Sequence, residues 1–409
     1  MPQADKIPSP MISPEVCSLP VYRQRKLQIL LLVSLIPMLG YSLINPAFPK
    51  IIDNLGISPP EVGLLITFYG VPGLLFIPIS GALADRFGRK RVLVPSLLLF
   101  GVAGGSCAFF QDFNTILMLR FLQGLGGAAV FPMCSTLIGD FYSGKECTQA
   151  MGYNFSVSYM ASAAYPFVGG AVALLAWYYP FLIYFVAVPI GILVLFKLEN
   201  PKSCERQGAF DYLSNIAKIF RNRRIVGLFA ASFLMFLIYS SAYATYFSLL
   251  LGGKFGASSL VIGLVVSIGS ATTGITSWQM SKLARRFSEM NLIKAAFVLI
   301  AVSIFSVQFA SELWMVVVMA IIFGIGLGTI DPGKISVLSS LASPNHRATL
   351  MSLDETFVVL GMTLGPVVLG AVFVFGGLTG VFNAGAVLAL VSFALMVFLL
   401  RPDDHGKSV

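Results

Sequence analysis

Along this chain the pattern turns apolar for about 20 residues at a time, the length a helix needs to cross roughly 30 Å of hydrocarbon. The runs fall near 27–49, 60–84, 92–110, 114–139, 149–174, 180–198, 225–250, 259–279, 291–310, 313–341, 349–375 and 379–400. Continuous apolar runs of this length predict spanning helices rather than strands or half-buried helices. The expected fold class is therefore an all-α membrane protein with twelve transmembrane helices in two pseudo-symmetric six-helix halves. The polar stretches set the divisions: a tail over 1–26, a first half over 27–198, a linker over 199–224, a second half over 225–400 and a tail over 401–409. In the linker Phe210, Leu213, Ile216, Ala217 and Phe220 recur at helical spacing beside Lys218, Arg221, Arg223 and Arg224. That spacing suits a helix lying on a cytoplasmic leaflet, and a plain flexible linker is the alternative.

Composition agrees with this pattern, since the chain is 57% hydrophobic and 11% charged, against about 25% charged in ordinary globular domains. A net charge of +9 on its own suggests a nucleic-acid partner, but the placement of the bases argues against one. Of 27 Lys and Arg, 23 fall in segments that the expected topology puts in the cytoplasm, Lys50 and Lys254 in outer loops, and Arg120 and Lys334 inside spans. Short loops rich in Lys and Arg stay inside, so both termini are expected in the cytoplasm and the protein in the cell (inner) membrane. The first 26 residues are polar, and no small-residue cleavage site follows the first run, which reads as a retained helix rather than a signal peptide. Five scattered cysteines without C-x-x-C, and only two histidines, predict neither a disulfide frame nor a metal centre, and no cofactor is expected.

Sliding the sequence against itself by 200 residues superposes Gly63 on Gly263, Gly124 and Gly126 on Gly324 and Gly326, Pro132 on Pro332, and Met151, Pro166 and Gly170 on Met351, Pro366 and Gly370. SKLARRF at 281–287 falls on GALADRF at 81–87, with Arg285 in place of Asp85. Two halves built on one template characterise carriers whose substrate site lies near the midplane, between parts that rock against each other.

Residues 81–93, GALADRFGRKRVL, resemble the signature loop between helices two and three of the major facilitator superfamily, G-x-L-A-D-R-x-G-R-K-x-x-L, at every specified position. The resemblance implies that Gly81, Asp85, Arg86, Gly88, Arg89 and Lys90 form a conformational switch, with Asp85 meeting the N-terminus of helix eleven near 349–352. LRFLQGLGGAA at 119–129 resembles the family's helix-four signature. The same residues satisfy G-x-G-x-x-[GA], but a dinucleotide site needs a preceding strand, and small residues in a spanning helix serve close packing instead. The fifth run ends Tyr165, Pro166, Phe167, Val168, Gly169, Gly170, so tyrosine stands where the family's antiporter signature has glycine. LGYSLINPAFP at 39–49 resembles the proline-ended first helix of drug:proton antiporters but carries no acid.

Ionisable groups inside spans are the candidate chemistry. At about 100° per residue, Phe131 shares a face with Arg120. The repeat carries Phe131 onto Asp331 and Cys134 onto Lys334. Asp331, Asp354, Arg120 and Lys334 are the expected proton-coupling residues. Asp354 is placed on a stripe with Val358, Gly361 and Gly365 that should face helix two. Glu355, about 100° away, reads as complementing the helix dipole. Tyr239, Tyr243 and Tyr246, at helical spacing, form an expected substrate wall for a flat or cationic solute, completed by Asn45, Gln123 and Phe131. The resemblance covers about 27–400 and implies a monomeric alternating-access carrier for a small molecule, set in a lipid bilayer and driven by protons. Export of a lipophilic or cationic compound is expected, with proton-coupled uptake or lipid flipping as alternatives. A membrane enzyme is disfavoured, because H-E-x-x-H, G-x-S-x-G and a complete phosphate loop are all missing.

Overall fold

Short turns with a local chemical cause cut the apolar runs into helices. In the computed structural model, which describes residues 20–199, 219, 220, 222–341 and 347–399, the side chains of Pro78, Gly81, Ala82, Asp85, Phe131, Leu399 and 347–349 are outside the description. Helix α1 (Arg25–Leu55) ends where Gly56 turns left-handed at φ 63°. Helix α2 (Pro59–Phe87) starts from Ser58, whose backbone N–H and hydroxyl both donate to Glu61. The device returns in the second half: α7 (Arg223–Phe255) ends at Gly256, φ 58°, and Ser258 accepts from the N–H of Val261 to start α8 (Ser259–Leu283). Between these lie α3 (Arg89–Phe109), α4 (Phe113–Phe141), α5 (Gly144–Ala173) and α6 (Tyr179–Lys197). After them come α9 (Glu289–Phe309) and α10 (Leu313–Leu341). The last helical stretch, Arg347–Leu399, breaks at Gly377 (φ 57°, ψ −156°) into α11 over 347–376 and α12 over 378–399.

Length and apolarity alone single out 10 spans among the described residues. They pass over α5, which carries Asn154, Ser156, Ser158 and Ser162, and they run α11 and α12 together across Gly377. With those two resolved, the twelve predicted helices are all present, and no strand occurs among the described residues. The predicted linker helix lies outside the described residues apart from Ile219, Phe220 and Asn222. Of these, Phe220 lies against Phe229 and Phe357, and the Asn222 side chain caps α7 by accepting from Arg224 N–H.

The repeat seen in the sequence is also present in space, and its glycines carry it. Gly124 of α4 lies against the backbone of Tyr69 in α2, and Gly324 of α10 against the backbone of Gly269 in α8. Gly126 packs on Ser96 and Phe100 of α3, and Gly326 on Ala296 and Ile300 of α9. The halves join through the same symmetry, with Gly63 of α2 against Pro366 of α11 and Gly263 of α8 against Pro166 of α5. These tight crossings lie toward the end of the bundle that carries Gly56 and Gly256. The opposite end, which carries the Phe87–Arg91 loop, is called the basic end below.

A side chain at Gly124 would run into the carbonyl of Tyr69, whereas one at Gly139, near the basic end of the same helix, would meet nothing. Gly124→Ala is expected to lower the unfolding temperature in detergent. Gly139→Ala is expected to leave it unchanged or raise it slightly, because alanine is the better helix former by about 1 kcal/mol. Equal effects from the two variants would mean that the α2–α4 crossing is looser than described.

Candidate functional site

An unpaired charge in a spanning helix costs about 2.5–3.5 kcal/mol or more, so the chain must collect such groups where they can meet. Four of them meet in the second half. Lys334 of α10 is buried, with Nζ 2.9 Å from Asp354 Oδ2 and 3.4 Å from Asp331 Oδ1, and with its ammonium 5.7 Å from the centre of the Phe236 ring. The second oxygen of Asp354 accepts from the Ser232 hydroxyl of α7 at 2.5 Å. Asp331 Oδ2 accepts from the hydroxyl of Tyr159 at 3.1 Å, and Tyr159 belongs to α5 of the other half. Glu355, half-buried, has no hydrogen-bond or ion-pair partner among the described residues, yet it stands within electrostatic reach of Lys334, Asp331 and Asp354.

This junction has a neutral copy. In the first half Ser34, Cys134 and Asn154 meet in the same way, Ser34 bonding both to the Cys134 thiol at 3.0 Å and to Asn154 Oδ1. Cys134 and Asn154 correspond to Lys334 and Asp354 at the 200-residue offset, while Ser34 and Ser232 are 198 apart. The shift has a structural cause. Between serine and terminal glycine α7 holds two residues more than α1, and it takes them up in a π-helical stretch, Tyr239–Tyr246, whose turns are wider. At the matching level α1 runs through a tighter 3-10 turn, Asn45–Ala47.

Several predicted site residues stand elsewhere than expected. Asp354 does not face α2. Its stripe turns to α7, where Gly361 lies against Phe233 and Gly365 against Leu237, while Val359, Thr363, Pro366 and Gly370 make the α2 contact. Arg120, expected to look into a central cavity together with Asp331 and Lys334, bonds only within its own half among the described residues. It is fully buried in the first half, donating to Gly40 O (2.8 Å), Leu65 O (3.1 Å), Gln123 Oε1 (2.7 Å) and the Tyr184 hydroxyl (3.2 Å), between the rings of Tyr69 and Tyr184. The tyrosines form only part of the expected wall: Tyr239 and Tyr243 stack on each other at 6.0 Å, and the π-helical turn takes Tyr246 out of their register. Tyr243 stacks on Phe323 at 4.2 Å and on Phe247, whereas Tyr246 turns to Phe373, and both are buried. Tyr239 is half-buried and reaches Ser42 of α1.

Asn45 and Gln123 are buried in the helix junctions, and each has one polar atom without a hydrogen-bond partner among the described residues, Asn45 Oδ1 and Gln123 Nε2. In the basic loop Gly88 adopts φ 95°, Arg89 pairs with Asp140 and donates to Thr136 O, Arg86 lies over Phe87, and Lys90 is half-buried. The side chains of Gly81, Asp85 and Phe131, and with them the expected contact of Asp85 at 349–352, lie outside the described residues. Tyr165, where glycine was expected, donates to Leu35 O of α1 at 3.1 Å. Ser232 and Tyr159 went unnoticed in the sequence, since neutral polar residues in a spanning helix carry no signal of their own. Glu355 was assigned to the helix dipole but sits beside the charge cluster.

Twelve apolar helices in two repeated halves, with a charge cluster in the second half that bonds across to α5 of the first, define a multi-pass membrane carrier. The chain belongs to the Major Facilitator Superfamily, whose profile matches residues 30–303 and 240–409, and it is a secondary transporter. It is 27% identical over 390 residues to the bacillibactin exporter of Bacillus subtilis (strain 168), covering 92% of this chain and 96% of that one. It is 24% identical over 343 residues to the quinolone resistance protein NorA of Staphylococcus aureus (strain COL), covering 82% and 86%. Among solved structures, a bacterial homologue of the human lysosomal transporter Spinster matches with a TM-score of 0.77 at 16% identity, covering 93% of this chain and 97% of that one.

Proposed function

We propose that the chain exports a small lipophilic or cationic organic compound in exchange for protons, with Asp331 as the acid that exchanges the proton. The observation that carries this reading is the unequal sharing of Lys334. The ammonium lies nearer Asp354, whose side chain is 7% exposed, and leaves Asp331, 23% exposed, as the acid open to a second cation. A proton and an organic cation would then compete for one carboxylate, which is antiport in its simplest form: two mutually exclusive occupants coupled to one conformational switch. The names of the relatives, a bacillibactin exporter, a quinolone resistance protein and a multidrug resistance protein, support export. The basic end faces the cytoplasm in this reading, as the positive-inside rule requires, and the carrier works as a monomer.

Proton release from detergent-solubilised protein on addition of tetraphenylphosphonium, a lipophilic cation, tests the assignment. Wild type and Asp354→Asn are expected to release protons, and Asp331→Asn to release none. Release and uphill pumping by Asp331→Asn would remove Asp331 from this role, and loss only in Asp354→Asn would transfer it to α11.

A further inference from the structure

The inter-half hydrogen bonds among the described residues are not equivalent. Thr67 donates to Thr363 O at 2.8 Å, and the N–H of Phe167 donates to Ser267 Oγ at 3.0 Å. Both link neutral groups. The bond from Tyr159 to Asp331 ends on a carboxylate, and it lies nearer the basic end than the crossings at Pro166 and Gly263. It also has no copy in the other seam. The repeat carries Tyr159 onto Val359 and Asp331 back onto Phe131, so the equivalent positions of α11 and α4 are apolar. Among the described residues, only one of the two pseudo-symmetric seams is thus joined through a carboxylate.

The surroundings of Asp331 make that bond sensitive to charge. Its own helix supplies Lys334, α11 supplies Asp354 and Glu355, and α7 supplies the uncharged Ser232 and Phe236. Among the described residues the first half supplies the Tyr159 hydroxyl, which donates to Asp331. A phenol donating to a carboxylate makes a charge-assisted bond, roughly twice as strong as one between neutral partners. A proton or an organic cation on Asp331 removes that advantage.

Resting on the reading of Asp331 as the exchanging acid, we propose that Tyr159 is the positioning residue through which the first half senses what occupies Asp331 in the second. Ionised and empty, Asp331 holds Tyr159 and keeps α5 against α10. Occupied, it releases Tyr159, and the basic end of the seam is free to part. By linkage the coupling runs both ways, so parting the seam also favours occupancy of Asp331.

Spin labels at Thr148 of α5 and Ser340 of α10, both exposed near the basic end, would report the separation of the halves by pulsed electron resonance in lipid nanodiscs. In wild type the ratio of close to separated populations is expected to change with pH. In Tyr159→Phe, which keeps the ring and loses the donor, that ratio should become independent of pH, with the close population reduced roughly tenfold, as loss of a bond to a charged group implies. Proton release on adding tetraphenylphosphonium should persist, because the acid is retained, but its pH dependence should move along with the lost bond, since the coupling is reciprocal. A pH response in Tyr159→Phe equal to that of wild type, or its absence in wild type, overturns the proposal. Loss of proton release at every pH in Tyr159→Phe also overturns it, since Tyr159 would then be needed for the exchange itself rather than for reporting it to the first half. Failure of the Asp331 reading is separate, because it appears as proton release persisting in Asp331→Asn.

Discussion

Lys334→Met is expected to be the most damaging single substitution in the second half, lowering stability by about 3–5 kcal/mol, the usual consequence of removing one partner of a buried ion pair. The ammonium it removes is 2.9 Å from Asp354 and 3.4 Å from Asp331, so two carboxylates lose their cation at once, and Asp354 is buried. The first half shows how the junction can be built without charge, from Ser34, Cys134 and Asn154. Lys334→Met combined with Asp354→Asn should therefore recover most of the lost stability, since replacing a buried pair with uncharged groups of similar volume is often neutral. Thermal unfolding in detergent measures both. A double variant no more stable than Lys334→Met would mean that Lys334 matters chiefly to Asp331, and that the resemblance between the two junctions has no energetic content.

The fold was largely legible because its signals are local or periodic. A 20-residue apolar run needs no tertiary information to be read as a span, and the 200-residue offset that aligned Gly63 with Gly263 reappears as the matched contacts at Pro366 and Pro166. The site was legible only where charge marked it. Asp331 and Lys334 stood out by cost alone. Their partners did not: Ser232 and Tyr159 are ordinary residues for a spanning helix, and nothing in a sequence says across which gap a hydroxyl will donate. Helical periodicity put Asp354 on the right stripe of α11, but it cannot say which neighbour that stripe meets, and the neighbour is α7 rather than α2. It kept Tyr239 and Tyr243 together but failed for Tyr246, where the backbone leaves the 3.6-residue turn that the argument assumed. The two-residue excess of α7 over α1, visible once both serines and both terminal glycines are aligned, is the one sequence signal that could have revealed that stretch.

Arg120→Ala is expected to cost the first half about as much, and the reason separates a structural arginine from a coupling one. The α-helical part of α1 stops at Ser42, so the carbonyl of Gly40 lies in its last turn, where carbonyls lack a partner four residues on. Arg120 supplies one, donating from Nη2 to Gly40 O, while its other nitrogens hold Leu65 O of α2, Gln123 of its own helix and Tyr184 of α6. One planar fork thus ties four helices, and each acceptor loses its charged donor in the alanine variant. Unsatisfied buried groups and the cavity together imply a loss of about 3–5 kcal/mol. Arg120→Lys keeps the charge but cannot reach the same acceptors with a single ammonium, so intermediate stability is expected. Expression and thermal unfolding should fall in the order wild type, lysine, alanine. The pH dependence of tetraphenylphosphonium-induced proton release should be unchanged in whatever protein remains folded, since no acid is among the partners of Arg120 in the described residues. An alanine variant that unfolds at the wild-type temperature while its release profile moves along the pH axis would reverse the assignment, making Arg120 an electrostatic partner of the exchanging acid rather than the clasp of the first half.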